Sequence, residues 1–239
     1  MIKDKYSRVV YFDTETTGFD PEKHQIIEFA AVVCDGNESR DEDFFVRLRR
    51  EDSIPEKITQ ITGITDLDLV HGKEEEDLIQ CFKDLCSADG QVLLVAHNAQ
   101  FDLGFIAQTM IRYKDIPALH AFNSADYLDT LTVYKDRASS PHRLKDAIAH
   151  YGLNGKVQNT HRAIDDAKAL KAVCDAMEAE RDDLIQYINV FGYSPKYGIS
   201  GKRFKKIRYQ AQDPTFMMRK PEEILPKLQS RYGGNEREA

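Results

Sequence analysis

The sequence predicts an α/β domain built on a mixed β-sheet flanked by helices, with a basic C-terminal extension. Three observations carry that expectation. β-rich runs follow one another closely at the start of the chain, as strands of a meander do, whereas farther on strand-like runs alternate with helical periodicity. Charge also changes sign along the chain: there are 22 basic and 35 acidic residues up to Asn189, but 11 and 5 beyond it. A length of 239 residues fits one domain with an appendage, expected as 1–185 and 186–239.

The elements follow in order. Arg8–Phe12 and Ile26–Cys34 are rich in β-formers, with Asp20-Pro21 as a turn between them, and Phe44–Leu48 reads as a third strand. Pro55 suits the first turn of a short helix through Ile61 that Gly63 would end. Glu74–Cys86 carries Leu78, Ile79, Phe82, Leu85 and Cys86 at helical spacing, with acids at its start where the helix dipole favours them. Gln91–Ala96 is nearly all apolar, as in a strand covered on both faces. Phe101–Tyr113 is helical in period, Tyr127–Val133 fits either element, and Arg143–Tyr151 is a helix stopped by Gly152. Arg162–Ala179 is a longer helix.

Composition narrows the function classes. Apolar residues make up 41% of the chain and charged residues 31%, which suits a packed core rather than general disorder. No apolar run is long enough to cross a bilayer, so no membrane role is expected. No apolar stretch follows the charged start, so no signal peptide is visible. Cys34, Cys81, Cys86 and Cys174 form no Cys-x-x-Cys pair and read as free thiols, which together with the missing leader points to the cytoplasm.

Three acid-bearing segments stand at predicted element ends. Asp13-Thr14-Glu15-Thr16-Thr17-Gly18 follows the first strand, where residues two apart share a face. Asp13 and Glu15 would then repel unless a cation lay between them, although the segment also reads as a turn. His97-Asn98-Ala99-Gln100-Phe101-Asp102 follows the apolar strand and puts Asp102 in the first turn of a helix, where an ordinary dipole-stabilised acid could also stand. Thr160–Ala167 opens the last long helix with two adjacent aspartates. Ala163, Ala167, Leu170, Val173, Cys174 and Met177 mark its apolar face; Asp166 lies roughly 45° from the centre of that stripe and Asp165 roughly 145°. Asp166 is therefore expected inside and Asp165 in solvent. Oxygen ligands without thiolates or a histidine cluster suit magnesium or manganese, commonly as a pair of ions in phosphoryl transfer.

In these segments the chain resembles DEDDh-type 3′–5′ exonucleases, the superfamily of the bacterial DNA polymerase III epsilon proofreading subunit. The likeness rests on Asp13–Gly18, on Ala96–Ala99 with Phe101-Asp102, and on His161, Ala163, Asp166, Ala167 and Leu170; Ile61–Thr65 adds a weaker match. It covers roughly residues 8 to 180 and implies a ribonuclease H-like sheet. It further implies that Asp13, Glu15, Asp102 and Asp166 hold two Mg²⁺ or Mn²⁺ ions, and that His161 is the general base. The backbone around Thr16 and Thr17 would hold the 3′-terminal nucleotide, with Phe19, Ile64, His97, Asn98 and Phe101 as further contacts.

The implied substrate is the 3′ end of single-stranded DNA, released as 5′-mononucleotides, and a DNA polymerase would be a partner in trans. RNA 3′-end trimming or degradation of short oligoribonucleotides uses the same acids and is the alternative. A non-catalytic docking protein would be expected to have lost an acid, and none is lost. Beyond Asn189, outside the resemblance, Lys196, Lys202, Arg203, Lys205, Lys206 and Arg208 are interleaved with Tyr197, Phe204 and Tyr209. That pattern fits single-strand binding and fits a solvated tail equally.

Overall fold

The computed structural model describes residues 1–50 and 52–212. Its central sheet has five strands in the order β3-β2-β1-β4-β5, where β1 is Arg8–Thr16, β2 Ile26–Asp35, β3 Glu38–Phe45, β4 Val92–Ala96 and β5 Asp126–Asp129. β1, β2 and β3 pair antiparallel, while β4 runs parallel to β1 and β5 parallel to β4. The sheet is mixed, as the meander followed by alternation predicts.

Side-chain alternation gives β1 two buried faces. Val9 and Tyr11 pack with Leu170, Val173 and Met177 of the helix α8 (Ala163–Glu180). Val10 and Phe12 face the opposite layer, built from α3 (Glu75–Leu85), α4 (Ala99–Arg112) and α5 (Ile116–Ser124). The other helices are α1 (Ile2–Lys5), α2 (Glu56–Thr62), α6 (Thr130–Lys135) and α7 (Leu144–His150). Gly63 ends α2 in the left-handed conformation, at φ 73°, as its position predicts. Among the described residues no helix is long and apolar enough to cross a membrane, and the four cysteines are free.

The structure departs from the sequence reading where polarity masks a strand. The third strand is Glu38–Phe45 rather than Phe44–Leu48. It is a polar edge strand joined to β2 by Gly36-Asn37, a two-residue loop in which Gly36 takes φ 61°. Tyr127–Val133 divides at Asp129, which ends β5 and caps α6 by accepting from the Leu131 N–H. The unexpected α5 starts at Asp115, whose side chain accepts from the Ala118 N–H.

The basic segment is described as far as Gln212, so residues 213–239 of the expected extension lie outside the described residues. β6 (Val190–Tyr193) and β7 (Arg208–Ala211) form a parallel pair beside β5. Asn189 ties them to the core: its N–H donates to the Tyr127 carbonyl at 2.8 Å, and its Oδ1 accepts from the Tyr127 N–H at 3.0 Å. Phe191 and Ile207 are buried against the helical layer of α3, α4 and α5.

Phe82 of α3 is fully buried and contacts the rings of Phe12, Phe29 and Phe122, so it joins β1, β2 and α5. Phe82→Ala should lower the unfolding free energy by about 3–5 kcal/mol. A denaturant titration with a loss below about 1 kcal/mol would contradict this packing.

Candidate active site

The acids meet where the sheet opens. β1 pairs with β4 only as far as Tyr11↔Val95, after which β4 turns into α4 and leaves a crevice at the strand ends. Asp13 and Glu15 share the partly exposed face of β1 here, while Thr14 and Thr16 are buried on the other. Asp102 enters from the first turn of α4 and Asp166 from the first turn of α8.

Asp166 is 6% exposed and accepts from the Asn159 amide at 2.7 Å. Asp165 is less buried and is bonded by the Thr160 hydroxyl. One ligand atom each from Glu15, His161 and Asp166 lie within 4.8 Å of one another. His161 is exposed and holds a left-handed backbone at φ 58°.

Burial is the first cause of every carboxylate shift here. It pushes Glu15 up to about 8, with Asp166, Glu28 and Asp102 adding to the rise and Arg162 opposing it. Asp13 is raised well above the usual carboxylate range by burial, then by Asp102, Glu15 and Asp166. Asp102 is raised to about 7 by burial, against the Thr14 hydroxyl, which donates to it at 2.7 Å. Asp166 rises to about 6 by burial, against the hydrogen bond from Asn159. Among the described residues none of these four acids forms an ion pair with lysine or arginine.

The expected substrate contacts divide. Phe19 is 76% exposed and meets the edge of Phe101 at 6.4 Å, and Asn98 is exposed beside them at φ 73°. Ile64, by contrast, is buried with Ile27, Ile54 and Leu69. Both ring nitrogens of His97 are engaged, with the Thr130 hydroxyl at 3.0 Å and the His142 carbonyl at 2.9 Å. Thr16 and Thr17 are buried; the Thr16 hydroxyl donates to the Gly18 carbonyl and the Thr17 N–H to the Gln25 carbonyl.

Two buried acids that the sequence reading passed over hold the site together. Glu28 of β2 lies directly opposite Glu15 and is fully buried. Its Oε1 accepts from Arg162 Nε and Nη2 at 2.9 and 2.7 Å, and its Oε2 from the Ala163 N–H at 3.0 Å, so it fastens the start of α8. Asp129 accepts from the N–H groups of Asn98 and Ala99 at 2.9 and 3.2 Å and fastens the start of α4. A lone acid inside the apolar run Ile26–Val33 was the available signal for Glu28.

A family model described as exonuclease, RNase_T, matches residues 10–174. The chain is 34% identical over 181 residues to the PolC-type DNA polymerase III of Clostridium perfringens, covering 72% of this chain and 12% of that protein. It is 31% identical over 205 residues to the PolC-type DNA polymerase III of Latilactobacillus sakei, covering 83% of this chain and 13% of that protein. Against E. coli exonuclease I in complex with a dT13 oligonucleotide, the TM-score is 0.66 at 19% identity, over 76% of this chain and 43% of that one. That likeness bears on the fold: a mixed sheet flanked by helices, ribonuclease H-like.

The raised carboxylates predict a linked stability. A folded-state pKa above the ordinary value means that the folded chain binds more protons than the unfolded one, so the contribution falls as pH rises from about 4 through about 8. In EDTA, Asp13→Asn should therefore unfold at a higher temperature than the parent, by a margin that widens with pH over that window. A constant or shrinking margin in thermal scans would contradict charge crowding.

Proposed function

The chain belongs to the exonuclease family, and on that premise we propose that it is a metal-dependent enzyme that removes 5′-mononucleotides from the 3′ end of single-stranded DNA. The observation that carries the reading is the convergence of Asp13 and Glu15 of β1, Asp102 of α4, Asp166 of α8 and His161, in the loop just ahead of α8, on one crevice. DNA is favoured because the relatives are named for DNA polymerases and the structural neighbours include exonuclease I bound to DNA oligonucleotides. A DNA polymerase acting in trans belongs to the same proposal.

The donor set fits hard divalent cations: among the described residues the carboxylates are crowded, unpaired with lysine or arginine, and free of thiolate neighbours. Asp13, Glu15, Asp102 and Asp166 would hold two Mg²⁺ or Mn²⁺ ions, which would neutralise this charge, polarise the phosphate and acidify the attacking water. Thr14 and Asn159 orient Asp102 and Asp166 by the hydrogen bonds described above.

His161 stands at the exposed mouth, where an imidazole nitrogen can take a proton from the attacking water and return it to solvent. Water attacks the phosphorus between the last two nucleotides, the bond to the 3′-oxygen of the penultimate one breaks, and that oxygen takes up a proton from solvent to become the new 3′-hydroxyl. The terminal residue then leaves as a nucleoside 5′-monophosphate. Phe19 and Phe101 offer ring faces and edges beside the crevice for the departing base.

Matched 3′-labelled single-stranded DNA, mispaired duplex and RNA, each with Mg²⁺ or Mn²⁺, test the proposal. Release of labelled mononucleotide should be fastest from single-stranded DNA, stop in EDTA and be lost in Asp166→Ala. Full activity in EDTA would sink the two-metal reading, and faster hydrolysis of RNA would move the enzyme to the RNA class.

His161→Ala should lower kcat by about 10²–10⁴-fold with metal affinity nearly unchanged. Asp165→Ala should be close to neutral. A dead Asp165→Ala beside an active Asp166→Ala would reverse the assignment of the two aspartates.

A further inference from the structure

A groove of about 890 Å³ leads away from the crevice, between α4 and residues 200–206. Asn98 and Phe101 line its near end, next to His97 and Asp102. The apolar surface within it comes from exposed Phe19 and Ile111 and from partly exposed Phe101, Leu119 and Phe204, with Phe105 and Phe122 packed behind: Phe101 meets Phe105 at 5.0 Å and Phe204 meets Phe122 at 5.6 Å. Lys202, Arg203 and Lys205 are exposed along one rim.

That rim is fastened to the core. The Gln100 amide donates to the Lys202 carbonyl at 2.7 Å, while the Tyr209 hydroxyl donates to Gln100 Oε1 at 2.7 Å and accepts from the Phe204 N–H at 3.0 Å. Lys206 is spent on the same task, paired with Asp126 at 2.8 Å and bonded to the Ala125 carbonyl. Across the groove Lys202 pairs with Glu22 at 2.8 Å, but the two side chains are 69% and 59% exposed. An ion pair that exposed is worth about 0–1 kcal/mol, so a phosphate can take the lysine from Glu22.

We propose that this groove is the track for the unpaired strand upstream of the 3′-terminal nucleotide, whose own base keeps Phe101 at the near end, with upstream bases against Phe204 and phosphates on Lys202, Arg203 and Lys205. The inference rests on the exonuclease reading and deepens it. Ring faces that accept any base beside cations that track a backbone are what a sequence-tolerant single-strand site requires. The acidic body elsewhere repels phosphate, so the basic rim marks this groove for a polyanion, and the aromatic rings beside it favour a nucleic-acid strand over an acidic peptide.

Gly104 supplies a sharp test. It lies in the middle of α4 and lines the groove, and a Cβ built there meets nothing within 4 Å. Gly104→Leu should therefore fill the groove while keeping or raising the melting temperature, because glycine is a poor residue in a helix interior. Binding would be read by fluorescence anisotropy of a labelled oligothymidylate with Mg²⁺, in full chains that also carry Asp13→Ala to prevent hydrolysis.

Gly104→Leu should weaken binding about tenfold or more. The triple variant Lys202→Ala, Arg203→Ala, Lys205→Ala should flatten the slope of log K against log salt by about 2, at about 0.7 per phosphate contact. With Asp13 intact, both variants should hydrolyse the p-nitrophenyl ester of thymidine 5′-monophosphate as the parent does, because that substrate has no upstream strand. Unchanged affinity in Gly104→Leu together with an unchanged slope in the triple variant would overturn the proposal and leave the groove to a protein partner. Loss of ester hydrolysis in either variant would also overturn it, since the groove would then be part of the crevice. A parent chain inert toward both ester and strand would remove the exonuclease reading first.

Discussion

Crowding of negative charge at the end of β1 is the constraint to which the surrounding structure answers. Asp13, Glu15, Asp102 and Asp166 are drawn from β1, α4 and α8 into one poorly solvated crevice, with Glu28 behind them. Left to electrostatics, these groups would separate or hold protons, and their raised pKa values express that tension. Sheet pairing and helix packing on both faces hold them in place. A fold that keeps mutually repelling groups together has given up stability at one place and recovered it in the core, the usual arrangement at a functional site.

The helix starts are where fold and site meet. Glu28 takes up the guanidinium of Arg162 and the first amide of α8, and Asp129 takes up the amides of Asn98 and Ala99 that open α4. Each helix then presents a carboxylate from its first turn. Residues 98 and 161, just ahead of these helices, both hold left-handed backbone, which for a non-glycine residue persists only where neighbours fix it. Asp129 bonds the Asn98 N–H itself, and Glu28 fixes the two residues that follow His161, so both act on the crevice without entering it.

The sheet and most helices were legible because period and apolar runs report burial directly. β2 is buried along nearly its whole length, and α8 shows its inward stripe so clearly that it separates Asp166 from its neighbour Asp165. Period fails where an element is not half-buried. β3 is a polar edge strand and so has no alternation to read, and α5 is announced by its cap rather than its stripe. Within the crevice, segment order pointed to the acids as candidates, since Asp13 and Glu15 stand near the end of β1 and Asp102 and Asp166 each open a helix. Burial of Ile64 and the doubly bonded ring of His97 could not be read the same way, because both depend on contacts from distant segments, Ile27 and Leu69 for one and Thr130 and His142 for the other. Glu28 had a visible signal, an acid in an apolar run, but its partner lies more than a hundred residues away.

Segregation of charge along the chain acquires a physical sense once the basic segment is placed. A body this acidic repels nucleic acid at long range, and the crowded acids of the crevice add to that repulsion. Basic residues spread over the surface would pair with that body and be neutralised, as Lys206 is by Asp126. Among the described residues Arg203 and Lys205 escape this fate, and the ion pair of Lys202 is the exposed one with Glu22; all three stand on a segment anchored through Gln100, Tyr209 and Phe204 to the helix that carries Asp102. The attraction is thereby held at a fixed place relative to the acids. A flexible tail of the same charge would raise encounter with phosphate everywhere, whereas an anchored rim raises it at one place beside the crevice.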